Sequence, residues 1–140
     1  HLSLPTPWAK ESWSKKAKMG HGANQMTEAK AVAEYAQHVA RSEPYLIVGD
    51  FNSAPATPVY KLLTGDAKLR GAQESLKLID PSRTNSFSTA GFMKLRMHLD
   101  HIFGSKVEFA DMQDTCAFGD GKSPFHGLSD HVPLITRVDL

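Results

Sequence analysis

Small and apolar residues recur at helical spacing in the first third of the chain. Between residues 25 and 42 they return every three or four positions, and Asn24 or Thr27 could cap the start of a helix. These positions are Met26, Ala29, Val32, Ala33, Ala36, Val39 and Ala40. Pro44 follows and would stop the helix. The pattern predicts an amphipathic helix from Gln25 to about Ser42.

The next apolar pattern predicts a buried strand followed by a short helix. The run Tyr-Leu-Ile-Val at residues 45–48 ends in Gly49, as a buried strand bounded by a turn would. Thr57 and Pro58 suit the N-cap and the first position of a helix that continues through Leu63. The first half therefore has the order helix, strand, polar turn, helix.

The second half carries shorter and weaker patterns. Residues 76–79 alternate enough to predict a short strand before the Asp-Pro turn at 80–81, and the Ser- and Thr-rich stretch 82–91 reads as a loop. Two apolar segments, 97–103 and 107–112, flank Gly-Ser at 104–105 and predict a β-hairpin. A Gly-rich loop over 117–127 and a last strand over about 132–138 complete the prediction.

Composition indicates one soluble domain. The chain has 140 residues, 41% of them apolar, and no long apolar run, so we expect one domain with no membrane span. Sixteen basic and fifteen acidic residues give a net charge of +1, which is too weak for a broad surface that coats nucleic acid. An anionic substrate would have to be held locally. Cys116 is the only cysteine, so no internal disulfide is expected.

The first residues read as a long loop that begins at a cut. The chain starts with His1 rather than Met and shows no signal-like pattern, so its compartment cannot be read. The segment Trp8–Lys18 mixes two tryptophans with four lysines. Such a segment could stack on bases and pair with phosphates, or it could be a solvated loop with one tryptophan anchored in the core.

Gly-Asp-Phe-Asn-Ser at residues 49–53 is the most informative segment for function. It follows a predicted buried strand and places a carboxylate and a carboxamide at the end of that strand, where open α/β folds bind ligands. Two residues apart on an extended segment, Asp50 and Asn52 would point to the same side. A hard cation or a water nucleophile could then contact both oxygens. The alternative is that they only build a turn.

Two further segments place polar residues beside predicted strands. They are Leu-Asp-His-Ile-Phe at 99–103 and Leu-Ser-Asp-His-Val-Pro-Leu at 128–134. Charged groups this close to buried strands are costly to desolvate unless they are paired, hydrogen-bonded or metal-bound. Surface ion pairs are the alternative interpretation for both segments.

These three segments, in this order, resemble the carboxyl-terminal half of the endonuclease/exonuclease/phosphatase superfamily. The resemblance implies an α/β fold, part of the two-sheet α/β sandwich called deoxyribonuclease-I-like, with its amino-terminal half missing. Members of that family run to about 250 residues, a usual size for a two-layer α/β domain. Residues 1–140 would then form the carboxyl-terminal portion of one domain.

The resemblance also implies catalytic roles. Asp50 would orient or deprotonate the attacking water, and Asn52 would hold that water or a phosphoryl oxygen. His131 would contact the phosphoryl group as an acid or a cationic stabiliser, with Asp100 accepting a hydrogen bond from its other nitrogen. His1, in His-Leu-Ser at the start, resembles a family histidine that donates to a phosphate oxygen.

A metal site is implied as well. Asp130 resembles the family's metal-site carboxylate, which suits Mg²⁺, with Mn²⁺ as a substitute. The family's other metal-binding residues, an Asn and a Glu, belong to the half that is absent here. His101 would face away from Asp100 on a strand, and we interpret it as structural. Phe125 and His126 could flank the substrate or merely close a loop; His21, His38 and His98 show no ligand-like arrangement.

The sequence therefore predicts a metal-dependent phosphoesterase that hydrolyses a phosphodiester, in nucleic acid or in a lipid head group. The isolated piece is expected to be inactive. Half a sandwich also leaves an apolar sheet face or edge uncovered, which predicts a retained amino-terminal piece, a second copy or aggregation. Two alternatives stay open: a phosphate-binding module without catalysis, and a phosphomonoesterase on the same scaffold.

Overall fold

A computed structural model describes residues 1–5, 19–83, 87–92, 95–115 and 129–140. The predictions made for Trp8–Lys18, Cys116, the loop 117–127, and Phe125 with His126 lie outside these ranges. Within them, no helix combines the length and apolar character needed to cross a bilayer.

The predicted first helix is confirmed, but its cap is different. Helix α1 spans Ala23–Ala40, with Gly22 at its N-cap. Neither Asn24 nor Thr27 caps it, because both lie inside the helix. Thr27 donates its hydroxyl to Ala23 O. The N-cap residue, Gly22, has no side chain to accept a hydrogen bond, and the Gln25 side chain makes one half of a capping box, since its Oε1 accepts from the backbone N–H of Gly22 at 3.2 Å.

The strand predicted at residues 45–48 and the short helix are also confirmed, but the prediction that the strand is buried is wrong, because its residues alternate between half-buried and exposed. Strand β1 spans Tyr45–Asp50, and helix α2 spans Pro58–Lys61. Thr57 is the N-cap of α2, and its hydroxyl accepts from the Tyr60 backbone N–H. The helix continues as a π-helical turn over Leu62–Asp66.

The strand predicted over residues 76–79 is wrong. The chain forms a two-residue strand β2, Arg70–Gly71, and then helix α3, Ala72–Ser75. Residues 76–79 form a turn after α3, in which the Leu78 backbone N–H donates to Gln73 O at 2.9 Å. Lys77 adopts a left-handed φ of 58°, which interrupts any strand.

The predicted hairpin around residues 104–105 is wrong as well. Strand β5, Asp100–Ser105, pairs antiparallel with β1 on one edge and with β2 on the other. Strand β6, Glu108–Met112, instead pairs with β7, Thr136–Asp139. Since β5 already has a partner on each edge, β6 cannot fold back onto it.

A small ribbon begins at the end of the predicted loop 82–91. Strand β3, Ala90–Phe92, pairs with β4, Leu95–Met97, so the last two residues of that loop, Ala90 and Gly91, are part of a strand. The predicted last strand over 132–138 reduces to β7 and an isolated bridge between Ala90 and His131. This bridge attaches the Ser-Asp-His segment to the ribbon.

The β1–β5 pair has two different faces, because side chains alternate along each strand. One face carries Tyr45, Ile47 and Phe103, and it packs against α1, α2 and the π-helical turn. The other face is partly covered by β6 and β7, but Leu46 and Val48 remain 43% and 63% exposed. The polar end of this second face is where the candidate site lies.

Candidate active site

Two carboxylates face each other at one end of the β1–β5 pair. Asp50 is the direct cross-strand partner of Asp100, so both side chains stand on the same face of the sheet. Like charges placed opposite one another destabilise a sheet unless a cation or a proton neutralises one of them. The ends of these strands therefore form a site that favours positive charge.

His131 supplies an imidazole to this pair. Its Nδ1 donates to Asp100, at 2.8 Å from Oδ2 and 3.0 Å from Oδ1. The imidazole is held there from the backbone, since His131 bridges to Ala90 and the Val132 N–H donates to Thr89 O at 2.9 Å. The dyad expected between residues 100 and 131 is present in this geometry.

Thr89 is a site residue that the sequence did not reveal. It is fully buried; its hydroxyl donates to Asp100 Oδ2 at 2.7 Å and accepts from the backbone N–H groups of Leu99 and Asp100. One side chain thus fixes both the carboxylate and its strand end. The only local signal was one threonine among several Ser and Thr residues of a predicted loop, which could not single it out.

Asn52 reaches the site through a turn rather than along an extended strand. Its φ is 45°, in the left-handed region, which corrects the expectation of a straight segment. The Asn52 N–H donates to Asp50 Oδ1 at 2.8 Å, and its side-chain amide donates to Leu2 O at 2.8 Å. The two side chains are coupled because the Asp50 carboxylate itself closes the turn.

His1 lies beside this turn. Its Nε2 is 3.4 Å from Asp50 Oδ2 and 3.4 Å from Asn52 Nδ2. The neighbouring Leu2 N–H donates to Asp50 O at 2.9 Å, which anchors the first residues to the end of β1. The imidazole itself is 69% exposed. His1 therefore joins the site through Asp50, while His131 joins it through Asp100.

Burial and charge oppose each other in the pKa values of the dyad. Burial raises the pKa of Asp100 above its ordinary range, and the hydrogen bonds from Thr89 and His131 offset only part of this effect. Burial alone would lower the pKa of His131, but the hydrogen bond and charge of Asp100, with the charges of Asp50 and Asp130, outweigh it and raise that pKa. The dyad thus keeps a proton to a higher pH than a free imidazole.

Three residues here could hold a metal ion. One ligand atom each from Asp50, Asp100 and His131 lies within 4.8 Å of the other two. The Nδ1 atom of this imidazole already donates to Asp100, so a metal bound through it would have to displace that hydrogen bond. Asp130 is exposed and does not join the group, although its charge acts on His131.

A layer of aromatic and histidine rings lies beneath the site. His101 stacks on His98 with ring centroids 4.4 Å apart and on Phe103 at 5.2 Å, and it meets Phe51 edge-on at 5.8 Å. Burial lowers the pKa of His101 to about 4 and that of His98 to about 2. Both rings therefore stay neutral, and both nitrogens of His98 lack a hydrogen-bond partner among the described residues.

The sequence profile of the Endonuclease/Exonuclease/phosphatase family matches residues 22–131, which include the first two motif segments and the third as far as His131. The chain belongs to this family. No curated protein matches it in sequence. The family assignment thus rests on a match that covers most of the chain, and it confirms the resemblance in the motifs.

Two solved structures show which fold this family member has. The human Nocturnin catalytic domain, solved with a bound sulfate anion, aligns over 82% of the chain with a TM-score of 0.63 and 22% identity. The mannosyl-6-phosphatase Bt3783 of Bacteroides thetaiotaomicron VPI-5482 aligns over 84% with a TM-score of 0.58 and 20% identity. The chain spans only 40% and 46% of those two proteins. The fold is α/β and deoxyribonuclease-I-like, as predicted.

Proposed function

We propose that this chain is the carboxyl-terminal portion of one domain in a metal-dependent phosphoesterase that hydrolyses a phosphodiester, in nucleic acid or a lipid head group. The observation that supports it most is the meeting of Asp50, Asp100 and His131 within 4.8 Å at one sheet end. These residues come from three separate segments of the chain, so chance proximity along the sequence does not explain the cluster. Family membership supports a phosphoesterase-type reaction.

Each side chain has a role that its contacts support. Asp50 would orient the attacking water and take its proton, while water bonds to phosphorus and the bond from phosphorus to the ester oxygen breaks. Asn52 and His1, both next to Asp50, would hold that water or a phosphoryl oxygen. His131, protonated and held by Asp100, would stabilise the phosphoryl charge or give a proton to the leaving oxygen.

We assign Mg²⁺, with Mn²⁺ as its substitute, to Asp130 together with ligands outside this chain. Asp100 already accepts a hydrogen bond from His131, whereas the Asp130 carboxylate is exposed, which suits an ion that keeps several waters. When bound, the ion would neutralise charge on the phosphoryl group. Adding Mn²⁺ to the ¹⁵N-labelled full-length gene product tests this, because the paramagnetic ion broadens nearby amide signals. Broadening centred on Asp130 supports the assignment, and broadening centred on Asp50 and Asp100 contradicts it.

The exposed sheet face supports the view that more polypeptide is needed. Leu46 and Val48 stand on the same face as Asp50 and remain open beside the site. We propose that the other half of the domain, or a second copy of this chain, covers them, and that the chain alone is inactive. Gel filtration of the isolated chain tests this: a compact, well-folded monomer without a second polypeptide would contradict it.

Activity is tested on the full-length gene product with bis-p-nitrophenyl phosphate and Mg²⁺. Asp50→Ala and His131→Ala are each expected to lower kcat by roughly 100-fold or more. His38→Ala and Asp66→Ala remove the same groups from exposed positions away from the site and should leave kcat unchanged. Unaltered activity in both site variants would refute the assignment. An inactive parent that still binds phosphate would indicate the non-catalytic phosphate-binding module.

A phosphomonoesterase is the second candidate. It is favoured by the name of one structural neighbour, a mannosyl-6-phosphatase, which shares the fold at 20% identity. The site residues act on the phosphoryl group and leave the choice of substrate to surrounding loops. Comparing kcat/KM for p-nitrophenyl phosphate and bis-p-nitrophenyl phosphate separates the two: a clear preference for the monoester would replace the first proposal.

A further inference from the structure

The turn that carries Asn52 is held by two buried side chains from outside it. Asn52 has a left-handed φ of 45°, a conformation that is unfavourable for most residues other than glycine unless their surroundings favour it. The turn matters because Asp50 Oδ1 accepts the Asn52 N–H at 2.8 Å. Any shift of this backbone therefore moves both side chains of the site together.

Gln25 holds the turn from the side of helix α1. It is fully buried, and its Nε2 donates to Asn52 O at 2.8 Å and to Ser3 O at 3.0 Å. Its Oε1 accepts from the backbone N–H groups of Gly20 and Gly22 at 2.9 and 3.2 Å. With all four bonds made, the amide is fixed, and the Asn52 carbonyl is tied to the start of α1.

His101 holds the next carbonyl of the turn from the side of β5. Its Nε2 donates to Ser53 O at 2.7 Å, across 48 positions of sequence. The ring cannot turn away, because it lies between His98 and Phe103 with Tyr60 at 5.3 Å. The strand that carries Asp100 is thereby tied to the turn that carries Asn52.

We propose that Gln25 and His101 are positioning residues, which bind the successive carbonyls of Asn52 and Ser53 and thereby hold Asp50 and Asn52 in catalytic register with Asp100. This inference rests on the proposed function and deepens it. Neither side chain would touch the substrate. Both act through the backbone of the turn, so their loss should affect the chemical step more than substrate binding.

Two variants of the full-length gene product remove the donors with little change of volume. His101→Phe keeps an aromatic ring and loses the donor, and Gln25→Met loses the amide. Each is expected to lower kcat roughly 10- to 100-fold with KM nearly unchanged, measured well below the melting temperature of each variant. His101→Gln, whose amide can donate from the position of Nε2, should restore most of kcat. Gln37→Met, at an exposed position of the same helix, is the matched control.

A purely structural role gives a different result. In that case His101→Phe and Gln25→Met would lower the melting temperature, but the folded protein would keep the kcat of the parent, and His101→Gln would rescue nothing. That outcome overturns the proposal. Should one of the two variants fail to fold, the other still tests the proposal, because each removes the donor to a different carbonyl of the same turn.

A second readout does not depend on activity, so it separates this inference from the proposed function. In the labelled full-length gene product, ¹³C shifts and amide exchange of Asn52 report its left-handed conformation and its hydrogen bond to Asp50. Faster exchange and altered shifts in His101→Phe and Gln25→Met, with no change in Gln37→Met, support the positioning role even if no phosphoesterase activity is found. Unchanged signals in both overturn it.

Discussion

Acid should destabilise this protein because two buried histidines must stay neutral for it to fold. His98 and His101 are both fully buried and stacked on each other, with pKa values lowered to about 2 and about 4. In the unfolded chain both would titrate near 6.5. Between that value and the folded pKa, only the unfolded chain binds the protons. Stability is therefore full above about pH 6.5 and is lost as the pH falls.

The size of the loss follows from the pKa difference. One pKa unit corresponds to about 1.4 kcal/mol, so at pH 5 each histidine costs about 2 kcal/mol, and the two together cost about 4 kcal/mol relative to pH 7.5. His131 changes the free energy of unfolding in the opposite direction as the pH falls. Its pKa is raised in the folded protein, so its contribution is complete below the unfolded pKa and is lost as the pH rises. The net loss on acidification should therefore be somewhat smaller than 4 kcal/mol.

Urea unfolding followed by far-ultraviolet circular dichroism, at several pH values between 5 and 7.5, measures this dependence. His98→Leu replaces one buried imidazole with an apolar side chain of similar size. It should reduce the loss of unfolding free energy between pH 7.5 and pH 5 by about 2 kcal/mol. His38→Gln, at an exposed position of α1, should leave the dependence unchanged. The reasoning is refuted if the free energy of unfolding does not fall between pH 7.5 and 5, or if His98→Leu keeps the parent's pH dependence.

Two further predictions concern the Asp100–His131 dyad. Asp100→Asn should lower the pKa of His131, because it removes the hydrogen-bond acceptor and the negative charge that raise this pKa. An NMR titration of the imidazole measures the change, with Asp111→Asn, at an exposed position, as the control. A titration midpoint that does not shift in Asp100→Asn would contradict the prediction. Thr89→Val should cost about 1–3 kcal/mol, since two buried N–H groups and one carboxylate oxygen lose their partner. Chemical denaturation measures that cost, with Thr27→Val as the control; equal stability of both variants would argue against it.

The sequence predicted elements whose signals are local. Helix α1, strand β1 and the Thr57 cap of α2 depend on periodicity and on residue preferences at element ends, and all three are confirmed. The segments at 50, 100 and 131 could be named because each pairs a charged residue with a predicted strand. Their meeting in space was an inference from the family resemblance rather than from the local pattern.

What the sequence could not predict depends on long-range pairing. Gly104 and Ser105 indicated a turn, but both lie inside β5 and the chain bends one residue later, at Lys106; a turn also does not determine which strand β6 will join. That choice depends on β1 and β2, which occupy both edges of β5. Thr89 was missed for a similar reason, because its partner Asp100 is eleven positions away in the chain and adjacent only after folding.

The pairing of Asp50 with Asp100 also restricts how β1 and β5 can align. A slip of one residue would exchange the two faces of β1, because side chains alternate. The Asp50 carboxylate would then enter the ring layer around His101 and Phe103, while Ile47 would leave the core. Burying an unpaired carboxylate costs several kcal/mol, which makes the slipped alignment unfavourable. The charges proposed for catalysis thus also select one strand alignment over its nearest competitors.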